Sequence, residues 1–174
     1  MKNIKVIDKF KDFTICIMDK KTCRIHIDEI LELLKRIPGS AYRTEDILSE
    51  NKNERFMYGK WEHSFIAFEK EKVAGVLIAY ERKGEKEGIY DKNSIYINEI
   101  AVSSHGTGLG EHMLKTFVRR AHYIYLGGEI IIRIQTEKSK RNETVVQLYK
   151  KVGFCEVGIK SYIVKEDFVM EIKK

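Results

Sequence analysis

From Ile27 the apolar residues Ile27, Ile30, Leu31, Leu34 and Ile37 follow the spacing that gathers them on one helical face, with Asp28 placed to cap the run and Pro38-Gly39 to stop it. Before this helix, residues 1 to 12 offer an edge strand and Phe13 to Met18 (FTICIM) reads as a second strand of β-favouring residues. Thr44 caps a shorter helix through Ile47 and Leu48, and the polar stretch Asn51 to Trp61 reads as irregular. Phe65 to Glu69 and Val73 to Glu81 are strand runs joined by Lys70-Glu71-Lys72, a hairpin pattern, and a polar loop from Gly84 to Asn93 leads into a further strand, Ser94 to Val102. A glycine-spaced turn follows, and then Leu109, Met113, Phe117 and Ala121, flanked by Leu114 and Val118, form the apolar stripe of a third helix ending near Gly127-Gly128. Glu129 to Gln135 (EIIIRIQ) has the near-continuous apolar character of a strand covered on both faces, and the charged loop Thr136 to Arg141 follows it. Asn142 caps a fourth helix whose Val145, Leu148, Tyr149 and Val152 share a face, with Gly153 as its stop. Two closing strands, about Phe154 to Ile159 and Phe168 to Ile172, complete the order β-α-α-β-β-β-α-β-α-β-β, with no internal repeat.

Composition narrows the class of protein. A chain of 174 residues with a single proline and no low-complexity run is expected to form one domain with its own core. The net charge of +6 would draw an anionic ligand, but lysines and glutamates alternate along most of the chain, so a mixed solvated surface is favoured over a nucleic-acid face. Cys16, Cys23 and Cys155 share no metal-ligand or redox spacing, which suits reduced thiols and gives no expectation of a metal. The N-terminal MKNIKVIDKF lacks the apolar run of a signal peptide or membrane span, so a cytoplasmic protein without a membrane partner is expected.

The stretch Ser94 to Val118 outlines a phosphate cradle. A strand runs into Gly106, Gly108 and Gly110, where bare backbone lets an anion approach, and a helix N-terminus with unpaired N–H groups comes next. One strand later stands Asn142 to Phe154, NETVVQLYKKVGF. A strand ending Ile100-Ala101-Val102, a GxGxG turn, a strand, and then this N-to-LYKKxGF segment together resemble the GNAT superfamily of N-acetyltransferases, along nearly the whole chain. The resemblance implies an α/β fold: a mixed, strongly twisted central sheet of about seven strands with helices on both faces, its fourth and fifth strands splayed. It also implies acetyl-CoA as co-substrate and an amine as acceptor. In such a protein the main chain of His105, Gly106, Thr107, Gly108, Leu109, Gly110 and Glu111 holds the diphosphate, and the backbone of Ile100, Ala101 and Val102 pairs with the pantetheine amides. Asn142 caps its helix and contacts the pantetheine, and Tyr149 protonates the departing thiolate. The chain departs from the family in three places. His105 stands where glutamine or arginine is usual, the loop from Val102 to His105 is shorter and lacks the common proline, and the charged loop before Asn142 is longer than usual, with Val145 where alanine is frequent.

Acyl transfer from a thioester to an amine needs proximity, removal of the ammonium proton and support of the developing oxyanion. Glu99 is the candidate base, since the neighbouring Asn98 cannot accept the proton; strand alternation sends the two to opposite faces, and the bulge the family carries here would shift that parity. Glu62, His63 and His112 are outlying alternatives. Tyr149 is the candidate acid, because a phenol stays protonated at neutral pH. Lys138, Lys140 and Arg141 are candidates to meet an adenosine 3′-phosphate, with a solvated loop the favoured reading, and Tyr42, Tyr58 and Trp61 are candidate acceptor-pocket aromatics. A non-catalytic acyl-CoA-binding sensor of the same fold is the alternative reading. Neither the acceptor nor the oligomeric state, a homodimer among the options, follows from the residues.

Overall fold

Six helices and ten strands form among residues 4–37, 42–52, 55–84, 92–125, 131–139, 142–163 and 165–173, the parts of the chain that the computed structural model describes. In order they are β1 Val6–Phe10, β2 Phe13–Ile17, α1 Lys20–Ile25, α2 Ile27–Leu34, α3 Thr44–Leu48, β3 Asn51–Lys52, β4 Arg55–Phe56, α4 Lys60–His63, β5 Phe65–Glu69, β6 Lys72–Arg82, β7 Ser94–Val102, α5 Leu109–Ile124, β8 Ile131–Glu137, α6 Glu143–Val152, β9 Cys155–Ser161 and β10 Glu166–Lys173. Eight of the strands make one sheet in the order β1-β2-β5-β6-β7-β8-β10-β9, one more than the approximate seven expected, and β3 pairs antiparallel with β4 as a separate two-stranded sheet inside the stretch expected to be irregular.

Every neighbouring pair in the large sheet is antiparallel except β7 and β8. A parallel pair needs a long crossover, which α5 supplies. Apolar side chains on one face of the sheet, among them Ile15, Phe65, Leu77, Ile97 and Ile132, pack against Leu109, Met113 and Phe117 of α5 and Val146 and Tyr149 of α6. On the other face, Cys16, Ile66, Val76 and Ile78 pack against Ile30, Leu33 and Leu34 of α2 and Ile47 of α3. A side chain at Gly75 of β6 would bring its Cβ within 2.9 Å of Met113 Sδ, so the missing side chain lets α5 lie close to the sheet and sets the height of its N-terminus.

Several local expectations are corrected. Helix α1 was not anticipated: Asp19 Oδ1 accepts from the Thr22 amide at 2.7 Å and starts a turn and a half that is too short to show a period. The short helix α4 was likewise unforeseen. The N-cap of α2 is His26, with Asp28 as the second residue of the helix, where its charge favours the helix dipole. The cap of α3 is Arg43 rather than Thr44, with the Asp46 carboxylate accepting from the Arg43 amide at 3.0 Å. Pro38-Gly39 and Gly127-Gly128, expected as helix stops, lie outside the described residues.

Candidate active site

Strand β7 pairs with β8 through Ile95 with Ile132, Tyr96 with Arg133 and Ile97 with Ile134, and beyond these residues the two strands part. The gap is a cleft of about 460 Å³. Its walls are the ends of β7 and β8, the start of the glycine turn, the inner face of α6 and the end of α2. The β8-facing main-chain edge of β7 past Ile97 therefore opens onto the cleft instead of a strand.

A bulge decides which β7 side chains look the same way. Ile78 pairs with Glu99 but Ala79 pairs with Ile97, so Asn98 is the extra residue. Ile95, Ile97, Ile100 and Val102 all join the core beneath α5 and α6, whereas Ala101 joins the core beneath α2. Glu99, adjacent to Ile100, consequently lies on the face opposite Ile97, where uninterrupted alternation would have put the two together. Both Asn98 and Glu99 line the cleft, and the Asn98 amide donates to the buried Tyr42 hydroxyl.

Of the residues singled out from sequence, Glu99, Ile100, Ala101, Val102, His105, Gly110, Asn142 and Tyr149 line this one cleft. Gly106, Thr107 and Gly108 form the turn beside it, and Leu109 and Glu111 stand in the first turn of α5. Gly108 is the N-cap of α5 with φ +84°, a left-handed conformation that costs other residues energy, and a Cβ there would stand 3.4 Å from the Phe10 ring. The Thr107 hydroxyl donates to the Ser104 carbonyl (3.2 Å) and accepts from the Leu109 amide (3.3 Å), so it braces the turn internally. From behind, Lys11 Nζ donates to the Thr107 carbonyl at 2.8 Å. In a trans peptide the N–H points away from the C=O, so holding this carbonyl turns the Gly108 amide to the other side. On the cleft side, Arg36 Nη1 donates to the Ser103 carbonyl at 2.8 Å.

Tyr149 is nearly sealed, with 5% of its surface exposed, and its ring packs on Phe154 at 6.0 Å. Burial, and after it the charge of Glu99, pushes its phenol well above the ordinary tyrosine range. Tyr42 is raised in the same way, by burial and then by Glu99. Asn142 precedes α6 but makes no side-chain capping bond; its Nδ2 donates to the Glu137 carbonyl at 3.2 Å and so ties the start of α6 to the end of β8. Glu111 accepts from Lys115 (2.8 Å) and from Lys151 of α6 (2.7 Å), which couples the two helices flanking the cleft and draws its carboxyl down to about 2.

The outlying candidates sit elsewhere. His63 is buried beside Glu81 and Tyr125, and His112 stacks on Phe10 while its Nε2 meets Asp8 at 3.0 Å. Glu62, Tyr58 and Trp61 are not among the cleft residues, and Lys138 is engaged by Glu166 at 3.1 Å. Lys140 and Arg141 lie outside the described residues. Sequence reasoning missed Leu33 of α2 and Arg36 and Ile37 just after it, Tyr96 on β7, and Gln135, Lys165 and Asp167 on the far wall. There Gln135 Nε2 donates to the Tyr162 hydroxyl (2.6 Å) and to Asp167 (2.5 Å), and Lys165 stands 3.3 Å from Asp167. Among the described residues, no helix is long and apolar enough to cross a membrane.

Comparisons with known proteins give the family and the fold. Residues 27–154 match the acetyltransferase (GNAT) family, and the chain belongs to that family. Solved structures share the fold at low identity. Ard1 from Thermoplasma volcanium aligns with a TM-score of 0.70 at 16% identity, over 93% of this chain and 97% of that one. The ribosomal-protein-S18-alanine N-acetyltransferase from Escherichia coli gives 0.65 at 15% identity, over 92% and 93%. Arabidopsis thaliana Naa50, solved with the bisubstrate analogue CoA-Ac-MVNAL, gives 0.63 at 15% identity, over 92% and 98%. No curated protein sequence gives a significant match.

Proposed function

We propose that the whole chain is one acetyltransferase domain that moves an acetyl group from acetyl-CoA to a primary amine by direct attack. The observation that carries this reading is the parting of β7 from β8 after Ile97 and Ile134, with the glycine turn at its mouth and Glu99 and Tyr149 in its walls. The pantetheine arm takes the place of the missing strand partner along Ile100 to Val102, the diphosphate rests on the turn before α5, and Asn142 meets the pantetheine from α6. The fit of the site to acetyl-CoA rests on this chain's own open strand edge and left-handed glycines.

In the reaction Glu99 takes the proton of the acceptor ammonium, directly or through a water. The freed amine nitrogen then bonds to the acetyl carbonyl carbon, the C–S bond breaks, the sulfur leaves as a thiolate that receives the Tyr149 proton, and the second proton of the attacking nitrogen is released through water to restore the Tyr149 phenol. Products are an acetamide and CoA. The two groups are coupled in a useful sense. While Glu99 is ionised its charge helps keep the phenol protonated; once it has accepted the proton from the amine, that opposition is gone and Tyr149 becomes a better acid as the thiolate departs.

The test is thiol release from acetyl-CoA against a panel of small amines, amino acids, polyamines and peptide N-termini, with Tyr149→Phe alongside. Turnover with one class of amine that drops sharply in the variant supports the reading. Tight CoA binding with no turnover on any amine would select the sensor alternative instead.

A further inference from the structure

We infer that Arg36 is a ligand of the cofactor's diphosphate, supplying from just after α2 the permanent positive charge that the glycine turn lacks. The inference rests on reading the cleft as the acetyl-CoA site. From Ser103 to Glu111 the chain reads SSHGTGLGE, without a lysine or arginine, and its one carboxylate adds a charge of the wrong sign. The nearby Lys115 and Lys151 are committed to that carboxylate. Lys11 holds the Thr107 carbonyl but does not line the cleft. A helix N-terminus and amide N–H groups offer only partial charge to a ligand that is a full anion.

Arg36 supplies what is missing. It lines the cleft together with His105 and Gly110, and its bond to the Ser103 carbonyl fixes the guanidinium where the strand becomes the turn. That bond engages one N–H of a planar fork suited to gripping phosphate oxygens in pairs. The other lysine or arginine among the described cleft residues, Lys165, is on the opposite wall and is paired with Asp167.

Calorimetry on the full chain tests this with CoA, with 3′-dephospho-CoA, which keeps the diphosphate, and with pantetheine, which lacks it. Wild type should bind both nucleotides. Arg36→Ala and Arg36→Gln should weaken both by about ten- to a hundredfold, Arg36→Lys should recover part of the loss, and pantetheine should be indifferent to all three. Ligand-free melting curves check that each variant is folded. The glutamine variant keeps an amide donor without the charge, and the lysine variant keeps the charge without the fork, so together they separate the two roles. Full affinity in the glutamine variant would mean that Arg36 only braces the turn, and would overturn the inference. A loss confined to CoA would move Arg36 to the 3′-phosphate, and a parallel loss for pantetheine would point to a collapsed cleft; either overturns it. Unchanged CoA affinity in Arg36→Ala overturns it while leaving the acetyl-CoA reading intact, whereas wild type that binds no CoA removes both.

Discussion

Tyr149 on α6 and Glu99 on β7 face one cleft, and the phenol is held protonated first by its own burial and then by the Glu99 charge. Each residue alone is ordinary; the pair is what an acyl transfer to an amine requires, a base for the acceptor and an acid for the leaving group. Replacing Tyr149 by Phe keeps the ring that packs on Phe154 and removes only the proton. We expect thiol release to fall by about a hundredfold or more, with the KM for acetyl-CoA little changed and the melting temperature kept. Steady-state rates over a range of acetyl-CoA concentrations check this, and a rate within twofold of wild type would remove Tyr149 from the chemistry.

The same burial makes an alkaline prediction. Tyr42 and Tyr149 both have folded-state values raised above the ordinary phenol value of 10.0. An unfolded phenol loses its proton near pH 10 while the folded one keeps it, so above that pH the unfolded state binds fewer protons and stability falls as pH rises. Below about pH 10 both states are protonated and the effect vanishes. Urea unfolding of wild type and Tyr149→Phe from neutral pH upward should give parallel curves that diverge above about pH 10, the variant losing less. Curves that stay parallel throughout would contradict a buried phenol.

How far the sequence foretold this arrangement depends on how local each signal is. The hairpin from Phe65 to Arg82 and the helix from Leu109 were legible because alternation and helical period need only near neighbours. The bulge at Asn98 was expected only through the family resemblance, not from the residues themselves. It is a mismatch between two strands, and nothing in SIYINEIAV marks it; only the pairing with β6 reveals that Glu99 has changed faces. Arg36 was invisible for a related reason. It reads as one more polar residue on a surface helix, and its partner, the Ser103 carbonyl, lies 67 residues away on a different element. Asn142 shows a third kind of miss: the position before α6 was read correctly, but its amide serves the end of β8 instead of the helix.

Two glycines at the start of α5 should respond in opposite ways to the same methyl group. Gly108 has φ +84° and would place its Cβ 3.4 Å from Phe10, so Gly108→Ala should cost about 1–2 kcal/mol, lower the melting temperature by several degrees and weaken CoA binding. Gly110 lies within α5, where a Cβ would meet nothing closer than Val102 at 3.8 Å, so Gly110→Ala should keep or slightly raise the melting temperature. Melting curves of the two variants decide the matter, and equal losses would mean that the left-handed conformation is not what Gly108 provides.

Glu111 links α5 to α6 through Lys115 and Lys151, and that tether should be visible in acid. Hydrogen bonds first from Lys115 and then from Lys151 lower its carboxyl from 4.5 to about 2 in the folded chain. Between those values the unfolded state binds the proton and the folded state resists it, so the stabilisation is fully present above 4.5 and is lost as pH falls toward about 2. Glu111→Gln removes the titration and keeps the size of the side chain. Its melting temperature should lie slightly below wild type at neutral pH, the effect being small because the site is solvated. The difference between the two proteins should then shrink steadily as the pH is lowered through that interval. Lys151→Ala should reproduce part of the pattern and Lys115→Ala the remainder, since each supplies one of the two bonds. Should wild type and Glu111→Gln instead lose stability in parallel down to the lowest pH at which both remain folded, the tether holds the two helices no better than solvent would, and the spacing of α5 from α6 is set by the apolar contacts beneath them alone.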